Sequence, residues 1–123
     1  MPDYTTTFRV LVVGEGKRAQ GRVAELESHG WTATLTSGTS VREDAHALLP
    51  HAAVIDASDV EAAAQAGLAV RSSGTYNAVL MFVTADEQTR SAIRSRVPVP
   101  TFVTEKDYMG ELWKMPEAQQ YGR

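Results

Sequence analysis

Ala52-Ala53-Val54-Ile55-Asp56-Ala57-Ser58-Asp59 is the stretch that decides how this chain folds. Four apolar residues in a row suit a strand buried on both faces, as in a parallel sheet covered by helices on each side. The run closes on an acid, and open parallel sheets bind ligands just outside the C-terminal ends of their strands. Asp59 is the better helix cap of the two acids, which leaves Asp56 to face the crevice.

Reading outward, Phe8–Val13 (Phe-Arg-Val-Leu-Val-Val) is a first strand, and Trp31–Thr36 a second. Between them, Lys17 to His29 carries Ala19, Val23 and Leu26 at helical spacing and stops at Gly30. Ser40-Val41-Arg42-Glu43 has the form of a capping box and predicts a short helix that ends at Pro50. After the third strand, an alanine-rich helix is expected from Asp59 to Val70, and a fourth strand over Asn77–Val83. A polar helix over Asp86–Arg96 follows, with Ala92 and Ile93 facing inward. Val99–Thr104 reads as an edge-like fifth strand among prolines, and Asp107–Met115 as a brief last helix. Five strand–helix alternations predict an α/β fold in which a parallel sheet is covered by helices on both faces. Residues 1–7 and 116–123 read as tails around a single domain over residues 8–115.

A chain of 123 residues is long enough for one core, and 43% hydrophobic with 22% charged residues suits a globular protein. A net charge of −3 supplies no drive toward nucleic acid or an anionic membrane. The absence of cysteine excludes disulfides, thiolate metal sites and thiol nucleophiles. Neither a signal peptide nor a stretch of about 18 apolar residues is present, so a cytoplasmic location is expected.

Three features bear on chemistry. Gly14-Glu15-Gly16-Lys17-Arg18-Ala19 is a G-x-G-x-x-A run between a strand and a helix, the setting in which glycines let backbone approach a phosphate. The acid that a dinucleotide site places at the end of the second strand is missing, since Thr34-Leu35-Thr36-Ser37-Gly38 holds none. A glycine-permissive turn is therefore the plainer reading. Asp56, Thr84 and Lys106 bring an acid, a hydroxyl and an ammonium to neighbouring strand ends. A carboxylate there can accept a phosphoryl group, with Mg²⁺ held by Glu15 and Asp56 and with fixed donors aimed at the phosphoryl oxygens. His29, His46 and His51 lack metal-ligand spacing and read as surface histidines. Tyr108, Met109 and Trp113 are the apolar residues left for a partner surface or for core packing.

In kind and order these residues resemble the receiver domain of two-component response regulators, over about Phe8 to Met115. Arg9-Val-Leu-Val-Val13 is similar to that family's first strand, Val54-Ile55-Asp56 to its third strand with the phosphoacceptor, and Phe82-Val-Thr84-Ala85 to its fourth strand with the hydroxyl residue. Lys106, 22 residues after Thr84, stands where the family's lysine would fall. The resemblance implies a flavodoxin-like, doubly wound sheet of order 2-1-3-4-5. It also implies Asp56, Thr84 and Lys106 as site residues, a weakly held Mg²⁺ on Glu15 and Asp56, and no enzymatic activity. A histidine kinase or downstream effector would be the partner, and a homodimer would form through the fourth helix, fifth strand and last helix.

Departures from the family pattern point to an atypical or degenerate member. The acidic pair after the first strand is Gly14-Glu15, the loop after the acceptor is Ala57-Ser58-Asp59-Val60, and Asp107 follows Lys106 where proline is usual. Val103 stands at the aromatic switch position, with Phe102 one residue away. The expected function is a receiver-like signalling domain that acts through protein contacts, with impaired phosphorylation on Asp56. A fully phosphorylatable single-domain regulator and a small nucleotide-binding domain using Gly14-x-Gly16 are the alternatives.

Overall fold

Strands joined through helices lie parallel, and right-handed crossovers in both directions place helices on both faces. The computed structural model, which describes residues 7–74 and 77–121, has this architecture. Its elements are β1 (Arg9–Val13), α1 (Gly16–Ser28), β2 (Thr32–Thr36), α2 (Val41–Leu48), β3 (Ala52–Asp56) and α3 (Val60–Arg71), then β4 (Val79–Val83), α4 (Glu87–Arg94), β5 (Pro100–Val103), α5 (Tyr108–Trp113) and α6 (Pro116–Tyr121). All five strands are parallel in the order β2-β1-β3-β4-β5, the flavodoxin-like order expected. No helix among the described residues is long and apolar enough to cross a membrane.

Side chains alternate across each strand, and this splits the core in two. Leu11, Val13, Ala53, Ile55, Leu80 and Phe82 face α2, α3 and α4. Val10, Val12, Ala52, Val54, Met81 and Val83 face α1, α5 and α6. Ala63, Ala64 and Ala66, with Gly67, let α3 lie close to the sheet. A Cβ on Gly67 would stand 2.8 Å from Phe82 Cζ.

Several local expectations are corrected. Asp59 caps α3, its carboxylate accepting from the Ala62 amide at 3.2 Å, as expected. The capping box at Ser40 does not form. Gly38–Ser40 is a 3₁₀ turn, and Ser40 has helical backbone (φ −84°, ψ −10°), so its hydroxyl is not placed to cap α2. The fifth strand begins at Pro100 rather than Val99, because Val99 has φ +50° and is 80% exposed, a conformation that a β-branched residue adopts only in a turn. The polar segment after Met115, read as a tail, carries α6, which seats Ala118 against the α1 side of the sheet. Of the N-terminal tail over residues 1–7, all but Thr7 lies outside the described residues.

Candidate functional site

Asp56 follows Val54 by two residues, so strand alternation turns it toward the α1 side at the C-terminal end of the sheet. Its side chain is 19% exposed and borders a hollow of about 370 Å³ with Gly14, Glu15, Ser37, Ser58, Asp59 and Gln65. Burial works against the Asp56 charge. Hydrogen bonds from Ser58, the amide at 2.9 Å among them, together with the Arg22 and Arg18 charges outweigh that, so the carboxyl is held below the ordinary aspartate range.

The cation at Asp56 comes from α1. Arg22 lies on the buried face of the helix with Ala19 and Leu26 and is only 3% exposed. Its Nη1 stands 3.8 Å from Asp56 Oδ2. Its Nε donates to Glu105 Oε2 at 3.0 Å, and its Nη2 to Glu105 Oε1, a two-pronged grip on a carboxylate just past β5. Burial opposes the guanidinium charge, yet Glu105 and then Asp56 raise its pKa above the ordinary arginine value. Tyr108 lies alongside, its hydroxyl donating to Glu25; burial first, and then that glutamate, raise the phenol pKa.

The residues expected at the site are only partly brought together. Glu15 and Asp56 share the hollow. Thr84 sits at the end of β4 with its hydroxyl accepting from the Asp86 amide at 3.1 Å, in a local turn. Lys106 is exposed and lines a separate hollow of about 540 Å³ with Arg90, Phe102, Thr104, Asp107 and Lys114. One residue earlier, Glu105 reaches toward Asp56 through Arg22. Phe102, rather than the buried Val103, is the partly exposed aromatic of β5; its ring lies 6.0 Å from that of Phe82 and 5.0 Å below the Arg94 guanidinium.

Gly14 explains the missing acid in spatial terms. A Cβ there would lie 3.3 Å from both Ala19 Cβ and Asp56 Cβ, tight on two sides. The glycine therefore serves close packing of α1 against β3. Among the described residues no three His, Cys, Asp or Glu side chains converge as a metal cage. Of the three carboxylates on the hollow, Asp59 caps α3, and the other two, Glu15 and Asp56, would suit a largely hydrated, weakly held Mg²⁺, an ion that retains several waters. Tyr108 is buried and Trp113 is packed 4.7 Å from Trp31, so of the two readings left open for them, partner surface or packing, both take packing.

No protein-family model matches the chain, and no curated protein does. Solved structures share its fold. A response regulator receiver protein from Pseudomonas putida superposes with a TM-score of 0.62 at 19% identity, over 88% of this chain and 93% of that one. A pilus assembly-related protein from Burkholderia pseudomallei gives 0.57 at 18% identity, over 86% and 84%. A fusion carrying a yeast trimeric coiled-coil segment gives 0.64 at 18% identity, over 86% and 72%. At these identities the likeness is one of fold: the chain is receiver-like in architecture.

Proposed function

We propose that this domain is a receiver-like signalling module that acts by binding a partner protein, a histidine kinase or a downstream effector, and in which Asp56 is an impaired phosphoacceptor. One observation carries the reading: the acid at the end of β3 is served by an arginine from α1 that is itself held by Glu105, while Lys106 lies in another hollow. Phosphorylation would join an Asp56 carboxylate oxygen to phosphorus and break the phosphorus–oxygen bond of the donor, releasing acetate when the donor is acetyl phosphate. Mg²⁺ held on Glu15 and Asp56 would offset charge on the phosphoryl oxygens. Arg22 lowers the nucleophilicity of Asp56 by attracting its negative charge, and Gly14 supplies no second carboxylate for the metal.

The output face of the reading is that of α4, β5 and α5, where Phe102 under Arg94 adjoins the cation-bearing hollow of Arg90, Lys106 and Lys114. A second copy of the chain is one partner that this face would take. The test is incubation with acetyl phosphate and Mg²⁺, followed by intact mass. A slow, substoichiometric gain of one phosphoryl group, absent in Asp56→Asn, is the expected result. Rapid stoichiometric labelling would replace this reading with that of a conventional phosphorylated regulator.

A further inference from the structure

Arg22 Nη1 is buried and makes no hydrogen bond, although the same guanidinium spends its other two donor positions on Glu105. A buried, unsatisfied donor on a charged group is costly, and such a group takes an acceptor when one comes within reach. Asp56 Oδ2 is 3.8 Å from it, beyond hydrogen-bond distance but well inside the range of charge attraction. The two acids on this arginine differ in setting: the Asp56 side chain is 19% exposed, and the Glu105 side chain 52%. Glu105 sits in the loop that leads from β5 to α5, where the Asp107 and Tyr108 amides donate to the Thr104 carbonyl at 3.1 and 3.0 Å.

We propose that Arg22 is a positioning residue that couples the charge at Asp56 to the β5–α5 loop, by dividing its guanidinium between Asp56 and Glu105. More negative charge at Asp56 draws Nη1 across the gap and weakens the grip on Glu105; less charge there commits Arg22 to Glu105 and tightens the loop. The inference rests on the receiver-like reading of Asp56 as the charged centre of the site, and deepens it by naming a route from that centre to the adjoining surface. The route runs through α1 and Glu105, and needs neither Thr84 nor Lys106.

The test is ¹H–¹⁵N spectroscopy of the full chain, reading the Arg22 Nε–H resonance and the hydrogen exchange of the Asp107 and Tyr108 amides. It uses no phosphodonor, so it succeeds or fails independently of whether Asp56 can be phosphorylated. Asp56→Asn should move the Arg22 resonance and slow exchange at the two loop amides by about threefold, the scale of coupling within one ion-pair network. The loop response should vanish when Asp56→Asn is made in a Glu105→Gln background, a substitution at a half-exposed side chain. It should also vanish with Arg22→Met and return in part with Arg22→Lys. An unmoved Arg22 resonance after Asp56→Asn, or an equal loop response in the Glu105→Gln background, would overturn the proposal.

Discussion

At the N-terminal edge of the sheet, Phe8 stands edge-on to Trp31 at 4.9 Å and stacks on His51 at 5.5 Å, while Trp113 lies 4.7 Å from Trp31 and Tyr121 of α6 lies over His51. At the C-terminal edge of the same strands, Arg22, Asp56 and Glu105 form a charged cluster, with Asp56 bordering the hollow of about 370 Å³. Rings gain from exclusion of water and tolerate little displacement, so the first edge is rigid. Charge attraction acts beyond contact distance, and one buried guanidinium there faces two carboxylates that are partly open to water, so the second can respond to a change of charge. The contrast teaches where a signal can enter this fold and which end stays fixed while it does.

The largest effect expected from testing this contrast is that of Phe8→Ala, which removes a fully buried ring and should cost about 3–5 kcal/mol, read as a lowered urea midpoint. Arg22→Met keeps most of the aliphatic volume and leaves both carboxylates near water, so it should cost about 1–2 kcal/mol, less than removal of an unscreened buried partner. A greater loss from Arg22→Met than from Phe8→Ala would reverse the comparison.

A smaller effect separates the two edges by pH. Burial, and then Arg9, hold His51 below the ordinary histidine value of 6.5, against a weaker pull from Glu117. Neutral His51 accepts the Arg9 amide at Nδ1, 3.0 Å away, and its protonated form cannot. Its contribution to stability is therefore full above pH 6.5 and is lost as the pH falls through its lower folded-state value. Asp56 acts later: its contribution is full above the reference value of 3.8 and is lost as the pH falls through a still lower folded-state value. Urea midpoints measured between pH 7 and pH 5 should fall less steeply in His51→Gln than in the unaltered chain, while Asp56→Asn changes the profile only in stronger acid. The smallest effect concerns metal. Mg²⁺ should bind in the millimolar range or more weakly, and Gly14→Asp should tighten it a few-fold, with a loss of stability from crowding Ala19 and Asp56. Tight binding by the unaltered chain, followed by calorimetry, would assign the ligands differently.

The fold was legible because each strand announces itself as a short apolar run and each return passes through a recognisable helix. α6 was not, because Pro116–Tyr121 is polar apart from Ala118 and Tyr121, and one buried alanine leaves no periodic signal. Asp56 was legible from its place at a strand end. Arg22 was not read, although it stands three residues after Ala19 and four before Leu26, on the apolar stripe of α1, because an arginine within a helix is by default assigned to solvent. The offset between Glu105 and Lys106 is a matter of one residue in a turn, where chain direction changes faster than spacing can record. Tyr108 and Trp113 were open to either reading, and packing took both.

The closure of the aromatic edge by α6 has a consequence for the order of events during synthesis. Phe8 and Trp31 emerge from the ribosome well before Trp113, Ala118 and Tyr121, which cover that edge. A nascent chain with all five strands made still presents an uncovered aromatic surface, the kind of surface that chaperones hold and that sticks to other chains. The domain can therefore complete its fold only once Tyr121 has left the ribosome, and yield in the cell should depend on how long that half-finished edge is left open.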